Sequence, residues 1–267
     1  LNPRVIIFNL YIGNDFYDLF RIDDRPYLAK DANGNYKIHS PVWIKYRDPA
    51  LQGGSMQDSR VLFVLKKILQ KADLWGNWMR VRYLLNTARE QNQGIGSIFK
   101  YMWDIKRSVE PSLWYPGAYS AQILNQQIFF KYFPKSKEES LSRLSFLLKM
   151  IKDENPDIKL VLSPIPSATL SGALKGSSVF QNKINQLGLT YSEIVESEQE
   201  LFNRCREIAG EQGWIFVDLL SSFRAYPEPK VLFMKQDLHI SPEASRLIGE
   251  EEAKAMMPLI REMQKSP

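Results

Sequence analysis

Three short apolar runs set the limits on how this chain can fold. They are Val5 to Tyr11 (VIIFNLY), Ile158 to Leu162 (IKLVL) and Trp214 to Leu219 (WIFVDL). Each is rich in branched or aromatic residues, and none alternates cleanly with polar ones. Such runs read as strands buried on both faces, which is the pattern of a parallel sheet covered by helices. Helical patterns lie between them, so the chain reads as α/β.

The helices carry their own punctuation. Ser136 and Glu139 form an S-x-x-E box ahead of LSRLSFLLKMI, and Asn155-Pro156 stops that helix. A second helix is expected from about Ser197 to Glu211, with Gly210 and Gly213 as end signals. The last begins at Ser241 as N-cap with Pro242 in its first turn, and Pro258 is expected to end or kink it.

Between the first strand and Ser136 the chain is too long for a simple crossover. PYLAK and YKIHS flank DANGN, so a hairpin with a primed turn at Asn33-Gly34 is expected. Helical patterns follow at Asp58 to Gln70, Gly76 to Gln91 and Gly94 to Lys106. Trp43, Trp75, Trp78, Trp103 and Trp114 all fall in this stretch. Residues 20–135 therefore read as an insertion that caps one end of the sheet of a single domain spanning residues 1–267.

Composition narrows the function classes. Of 267 residues, 44% are hydrophobic and 24% charged, as in an ordinary globular domain. No apolar run reaches the ~18 residues of a membrane span. Cys205 is the only cysteine, which excludes a disulfide scaffold or a cysteine-rich metal site and reads as a small buried residue. The net charge of +5 is uneven: ten Lys/Arg and five Asp/Glu lie between Asp58 and Glu110, and the rest of the chain is neutral. That surplus reads as a solvated helical face, or as a contact for a membrane surface or an anionic polymer. No nucleic-acid recognition motif appears, and no nucleic-acid partner is expected.

The chemistry-bearing residues lie near the two ends. Gly13, Asn14 and Asp15 follow the first strand. Asp237 and His239, in MKQDLHISPEA, follow the third and precede the last helix. In an open parallel sheet, ligands bind beyond the C-terminal ends of the strands, so both groups should face one edge. A carboxylate beside an imidazole orients the ring and stabilises its protonated form. An Asn amide at such an edge can donate to a developing oxyanion, worth about 3 to 4 kcal/mol of barrier. His39, the other histidine, reads as structural or surface.

VIIFNLYIGNDFYDL together with DLHISPEASRLIGEE resembles the SGNH (GDSL) hydrolase superfamily. Gly13-Asn14-Asp15 matches its third block, shortened to GND, in which the Asn is an oxyanion-hole donor. Asp237 and His239 match the fifth block, with D-x-H in place of the commoner D-x-x-H. HSPVWI, DSRVLFVL and VLSPIPS resemble a bacterial branch with a large insertion after the GND block. The resemblance implies a flavodoxin-like three-layer α/β/α fold with a parallel sheet, here lacking its first two βα units. At ~30 residues each, those units would carry the family's Gly-Asp-Ser nucleophile and the glycine of its second block, neither of which occurs in this chain. The expectation is that Leu1 is not the natural start.

Substitutes for that nucleophile are weak. Ser55 and Ser177 have glycine nearby but follow no strand, whereas Ser163 and Ser167 follow the second strand. A nucleophile needs the base within hydrogen-bond reach, and nothing in the sequence shows that for any of them.

The implied activity is a serine ester hydrolase, acting on carboxylic or O-acetyl esters of small molecules or glycans. His239 would be the base, Asp237 its orienting partner and Asn14 the oxyanion donor, with Gly13 and Asp15 near the oxyanion and substrate and Asp15 a structural hydrogen-bond residue. No metal or cofactor is implied. Two alternatives stand beside it: an O-acyltransferase acting on a polysaccharide or cell-wall glycan, with the tryptophans packing on sugar or acyl groups, and a non-catalytic domain binding glycan or lipid.

Overall fold

Val5–Tyr11 forms strand β1, as its branched and aromatic residues predict. The structure is a computed structural model that describes residues 4–13, 15–18, 27–31, 33–39, 84, 88–89, 91–108, 118–234 and 238–265. After β1 come the single turn α1 (Asp15–Asp18) and the hairpin strands β2 (Tyr27–Lys30) and β3 (Tyr36–His39). Helices α2 (Ile95–Ser108), α3 (Ala118–Tyr132) and α4 (Lys135–Glu154) lead to β4 (Lys159–Ile165). Helices α5 (Ser178–Gln186) and α6 (Tyr191–Glu211) precede β5 (Ile215–Phe216). The chain then forms α7 (Leu219–Ala225), a short 3-10 helix (Pro229–Leu232) and α8 (Pro242–Lys265). It divides into two compact units, residues 1–17 with 102–267, and residues 18–101.

The larger unit is α/β, with a parallel sheet ordered β1-β4-β5. Alternation along the strands splits the side chains between two helical layers. Val5, Ile7, Val161, Ile165, Ile215 and Val217 join one cluster with Phe223 of α7 and Ala244 and Ile248 of α8. On the opposite face Phe216 meets Phe202 of α6 edge-on at 5.4 Å, and α4 packs on α6. Cys205 lies on that buried face of α6, and burial pushes its thiol pKa up.

Strand ends differ from expectation for reasons of pairing. The second run extends to Ile165 through Pro164, which a central strand normally excludes. Leu162 O accepts from Val217 N, so even-numbered residues of β4 face β5. Val217 O is taken by Leu219 N as the chain turns away, so no ladder bond awaits an N–H at position 164. The third run is shorter than expected because Asp218 leaves it to cap α7, its Oδ1 accepting from Ser221 N at 3.1 Å.

Two helix starts also differ from expectation. The S-x-x-E box at Ser136 does not form. Helix α4 begins at Lys135 after Pro134, with no side-chain cap. The preceding turn supplies the acceptors instead, Ser136 N donating to Phe133 O and Lys137 N to Pro134 O. The helix stop at Asn155 is as expected. Helix α6 starts six residues earlier than read, where Thr190 and Glu193 form a reciprocal capping box.

The hairpin exists, but its turn is not primed. Among the connecting residues described, Gly34 alone has a positive φ, 80°, whereas a primed turn requires Asn33 there too. Asp31 organises the loop, its Oδ1 accepting from Asn33 N and Asn35 N. Of the insertion's three expected helices, only Gly94 to Lys106 falls largely on described residues, as α2. Residues 58–70, most of 76–91, and Trp43, Trp75, Trp78 and Trp114 lie outside them.

Helix α8 runs on past Pro258. Proline removes one hydrogen bond to the carbonyl four residues back, and both Pro258 and Lys254 are exposed, so water can take that carbonyl. Pro258→Ala should therefore stabilise the protein by about 2 to 3 kcal/mol, read as a raised midpoint of urea unfolding. An unchanged midpoint would mean that the helix already relaxes fully round the proline.

Candidate functional site

The turn after β1 is built by hydrogen bonds from both sides. Ile12 N donates to Ile165 O at 3.0 Å, continuing the ladder to β4. The same residue's carbonyl accepts 2.8 Å from Nε2 of Gln126, a fully buried side chain of α3. Ile12 and Gly13 are themselves buried. A Cβ at position 13 would stand 2.6 Å from Cε1 of Tyr11, so the close approach of that ring requires glycine.

Asp15 closes the turn, its Oδ2 accepting from Tyr11 N at 2.7 Å. Because Ile12 N faces β4, Tyr11 N faces the outer side of the sheet. Asp15 thus caps the outer edge of β1 at its last residue. Asn14, between these anchors, lies outside the described residues.

His239 is exposed on a turn held by backbone bonds. Met234 N donates to His239 O at 2.7 Å, and Leu238 N to Met234 O at 3.0 Å. Leu238 has φ of 58°, a left-handed conformation that costs a branched side chain about 1 to 2 kcal/mol. Such strain persists only where the surroundings hold it. Here Phe233 and Ile240 bridge across the turn, and Leu238 and Ile240 pack into the core cluster. Ser241 then caps α8 as expected, its Oγ accepting from Ala244 N and donating to Val231 O. Asp237 lies outside the described residues.

The His239 turn does not directly follow β5, because α7 and the 3-10 helix stand between them; Leu238 and Ile240 pack on a cluster that takes both Val5 and Ile165, from opposite ends of the β1–β4 ladder. His39 ends β3, opposite Tyr27 in the hairpin of the other unit.

The other serines have structural surroundings. Ser177 caps α5, accepting from Phe180 N. Ser163 is buried within β4. Ser167, also fully buried, donates to Glu198 Oε2 at 2.7 Å and accepts from Leu170 N at 3.0 Å. Ser55 lies outside the described residues.

Glu198 was not singled out by sequence reasoning, although a signal exists. It shares the stripe of α6 occupied by Ile194, Leu201 and Cys205, a carboxyl among core residues. It is fully buried, and its Oε1 has no hydrogen-bond partner among the described residues. Desolvation raises its pKa to about 8, against a smaller lowering by Ser167, Gln127 and the Leu170 amide. Gln126 and Gln127 were missed as well, the first being the tie to Ile12. Among the described residues no group of His, Cys, Asp and Glu is arranged to hold a metal.

No protein-family model, curated protein or solved structure matches this chain.

The buried polar groups should show themselves in stability. The folded state favours protonated Glu198, so its contribution is fully present below the ordinary value of 4.5 and is lost as pH rises through about 8. In that window stability should fall by up to about 1.4 kcal/mol per pH unit. Glu198→Gln should flatten this slope in urea titrations at stepped pH, and an unchanged slope would assign it to other groups. Gln126→Leu should cost about 1 to 3 kcal/mol by leaving Ile12 O buried without its donor, measured in the same unfolding assay.

Proposed function

We propose that this chain supplies the base and oxyanion-donor part of a serine ester hydrolase of the SGNH type. The observation that carries the reading is that the Gly13–Asp15 turn leaves the sheet where β4 ends, while the residues beside His239 pack on the same core cluster as the end of β4. The Gly13–Asp15 turn is tied to Ile165 by the ladder, and the flanks of His239 share a core cluster with it. Ligands of open parallel sheets bind at that end of the strands.

The outer edge of β1 adds support. The backbone groups of Val5, Ile7 and Asn9 face away from β4, and no described strand pairs with them. The strand is nonetheless almost continuously apolar, with most of its residues only half-buried. Such an edge suits a further parallel strand. In a flavodoxin-like order that neighbour is the nucleophile strand, and its C-terminal end would arrive beside Asn14.

In this mechanism a serine on that strand attacks the ester carbonyl. His239 takes its proton and returns it to the leaving alcohol, and Asp237 holds the imidazole in the required tautomer. The Asn14 amide donates to the tetrahedral oxyanion. Asp15 shapes the turn through Tyr11 N and takes no part in proton transfer.

The test uses the complete reading frame that encodes this chain, treated with a serine-directed phosphonate. A serine outside residues 1–267 should be labelled, and His239→Ala should abolish the labelling. Asn14→Ala should lower kcat for a chromogenic acetyl ester by about 10²- to 10³-fold. A folded protein that takes no label, or labels equally without His239, would exclude the reading and favour a binding domain.

A further inference from the structure

Helix α2 is apolar round more of its circumference than the structure packs. At 3.6 residues per turn, its apolar arc is about twice the ~100° of a core-facing stripe. Ile98 and Tyr101, on one side of the arc, are buried. Ile95, Phe99, Met102 and Trp103, on the other side, are 63%, 66%, 44% and 61% exposed. Four large apolar side chains along two turns of one continuous helix form a patch rather than scattered residues.

Basic charge accompanies this patch. Lys100 is exposed. Lys106 and Arg107 follow in the sequence of the same helix. The helix lies in the stretch from Asp58 to Glu110, which carries the chain's whole basic surplus. An exposed aromatic and aliphatic stripe flanked by an exposed lysine, on a helix within a basic stretch of sequence, is the pattern of a helix lying in a membrane interface. Tryptophan favours the headgroup level, where its ring is apolar and its N–H stays wet.

We propose that α2 docks this protein on the surface of an anionic lipid bilayer. Phe99, Met102 and Trp103 enter the headgroup–acyl boundary, while Lys100 meets the anionic headgroups. Among the described residues no helix is long and apolar enough to cross a membrane. The proposal does not depend on the ester chemistry, because none of the residues at the candidate site takes part.

The test is co-sedimentation of the full chain with vesicles of equal parts phosphatidylcholine and phosphatidylglycerol, and with phosphatidylcholine alone. The chain should partition to the mixed vesicles, and salt should release it. Phe99→Ser with Trp103→Ser should weaken partitioning by about tenfold or more, and Lys100→Glu by about fivefold. Both changes are at exposed positions, and circular dichroism of each variant checks that the fold is kept. Lack of partitioning to the mixed vesicles would overturn the proposal, as would equal partitioning by the double serine variant. So would a concentration-dependent dimer that the double variant abolishes while vesicles bind neither form, which would assign the stripe to a second copy of the chain.

Discussion

The parallel ladder between β1 and β4 is the constraint on which the rest of this structure depends. Its register, Val5 with Lys159 through Tyr11 with Ile165, sets which residues face each helical layer. It also fixes where the chain leaves the sheet. The Ile12 amide extends the ladder by one bond, so the Gly13 turn starts where β4 ends. A one-residue slip would put Ile7 and Val161 on opposite layers and break the cluster that seats the His239 turn.

Buried polar groups then secure what the ladder positions. Gln126 reaches from α3 to Ile12 O, and Glu198 from α6 to Ser167 in the segment after β4. Each tie joins helices of the α4/α6 side of the chain to the ends of strands, where ladder bonds run out. In an interior of low dielectric such groups are costly unless paired. Glu198 meets that cost by favouring its protonated form. At the His239 turn, backbone bonds and the burial of Leu238 and Ile240 offset the left-handed strain at Leu238. The exposed His239 thereby sits on a turn whose backbone is hydrogen-bonded at both ends.

The strand cores were legible because a continuous apolar run of five to seven residues, bounded by turn residues, is too short for a buried helix. Val5–Tyr11 matches its expected bounds. Ser241 was readable as a cap because a serine followed by proline before an apolar-periodic stretch is a local arrangement. The turn at Asn33-Gly34 and the box at Ser136 were misread for a shared reason. In both cases another acceptor, the Asp31 carboxylate or the carbonyls of Phe133 and Pro134, satisfied the amides first. Pro258 does not end α8, because exposure lets water replace the hydrogen bond that proline removes.

The sequence by itself determined the α/β class, the cores of the three parallel strands and the turn at Gly13–Asp15 directly after the first of them. These follow from periodicity and local capping, which involve residues near one another in the chain. Tertiary structure alone decided how far each strand runs, which face of α2 is covered, and that Gln126 and Glu198 serve as internal ties. Those outcomes depend on partners far away in sequence: Gln126 meets a carbonyl 114 residues distant. Burial and hydrogen-bond satisfaction between such distant groups are properties of the packed chain, and no local pattern encodes them.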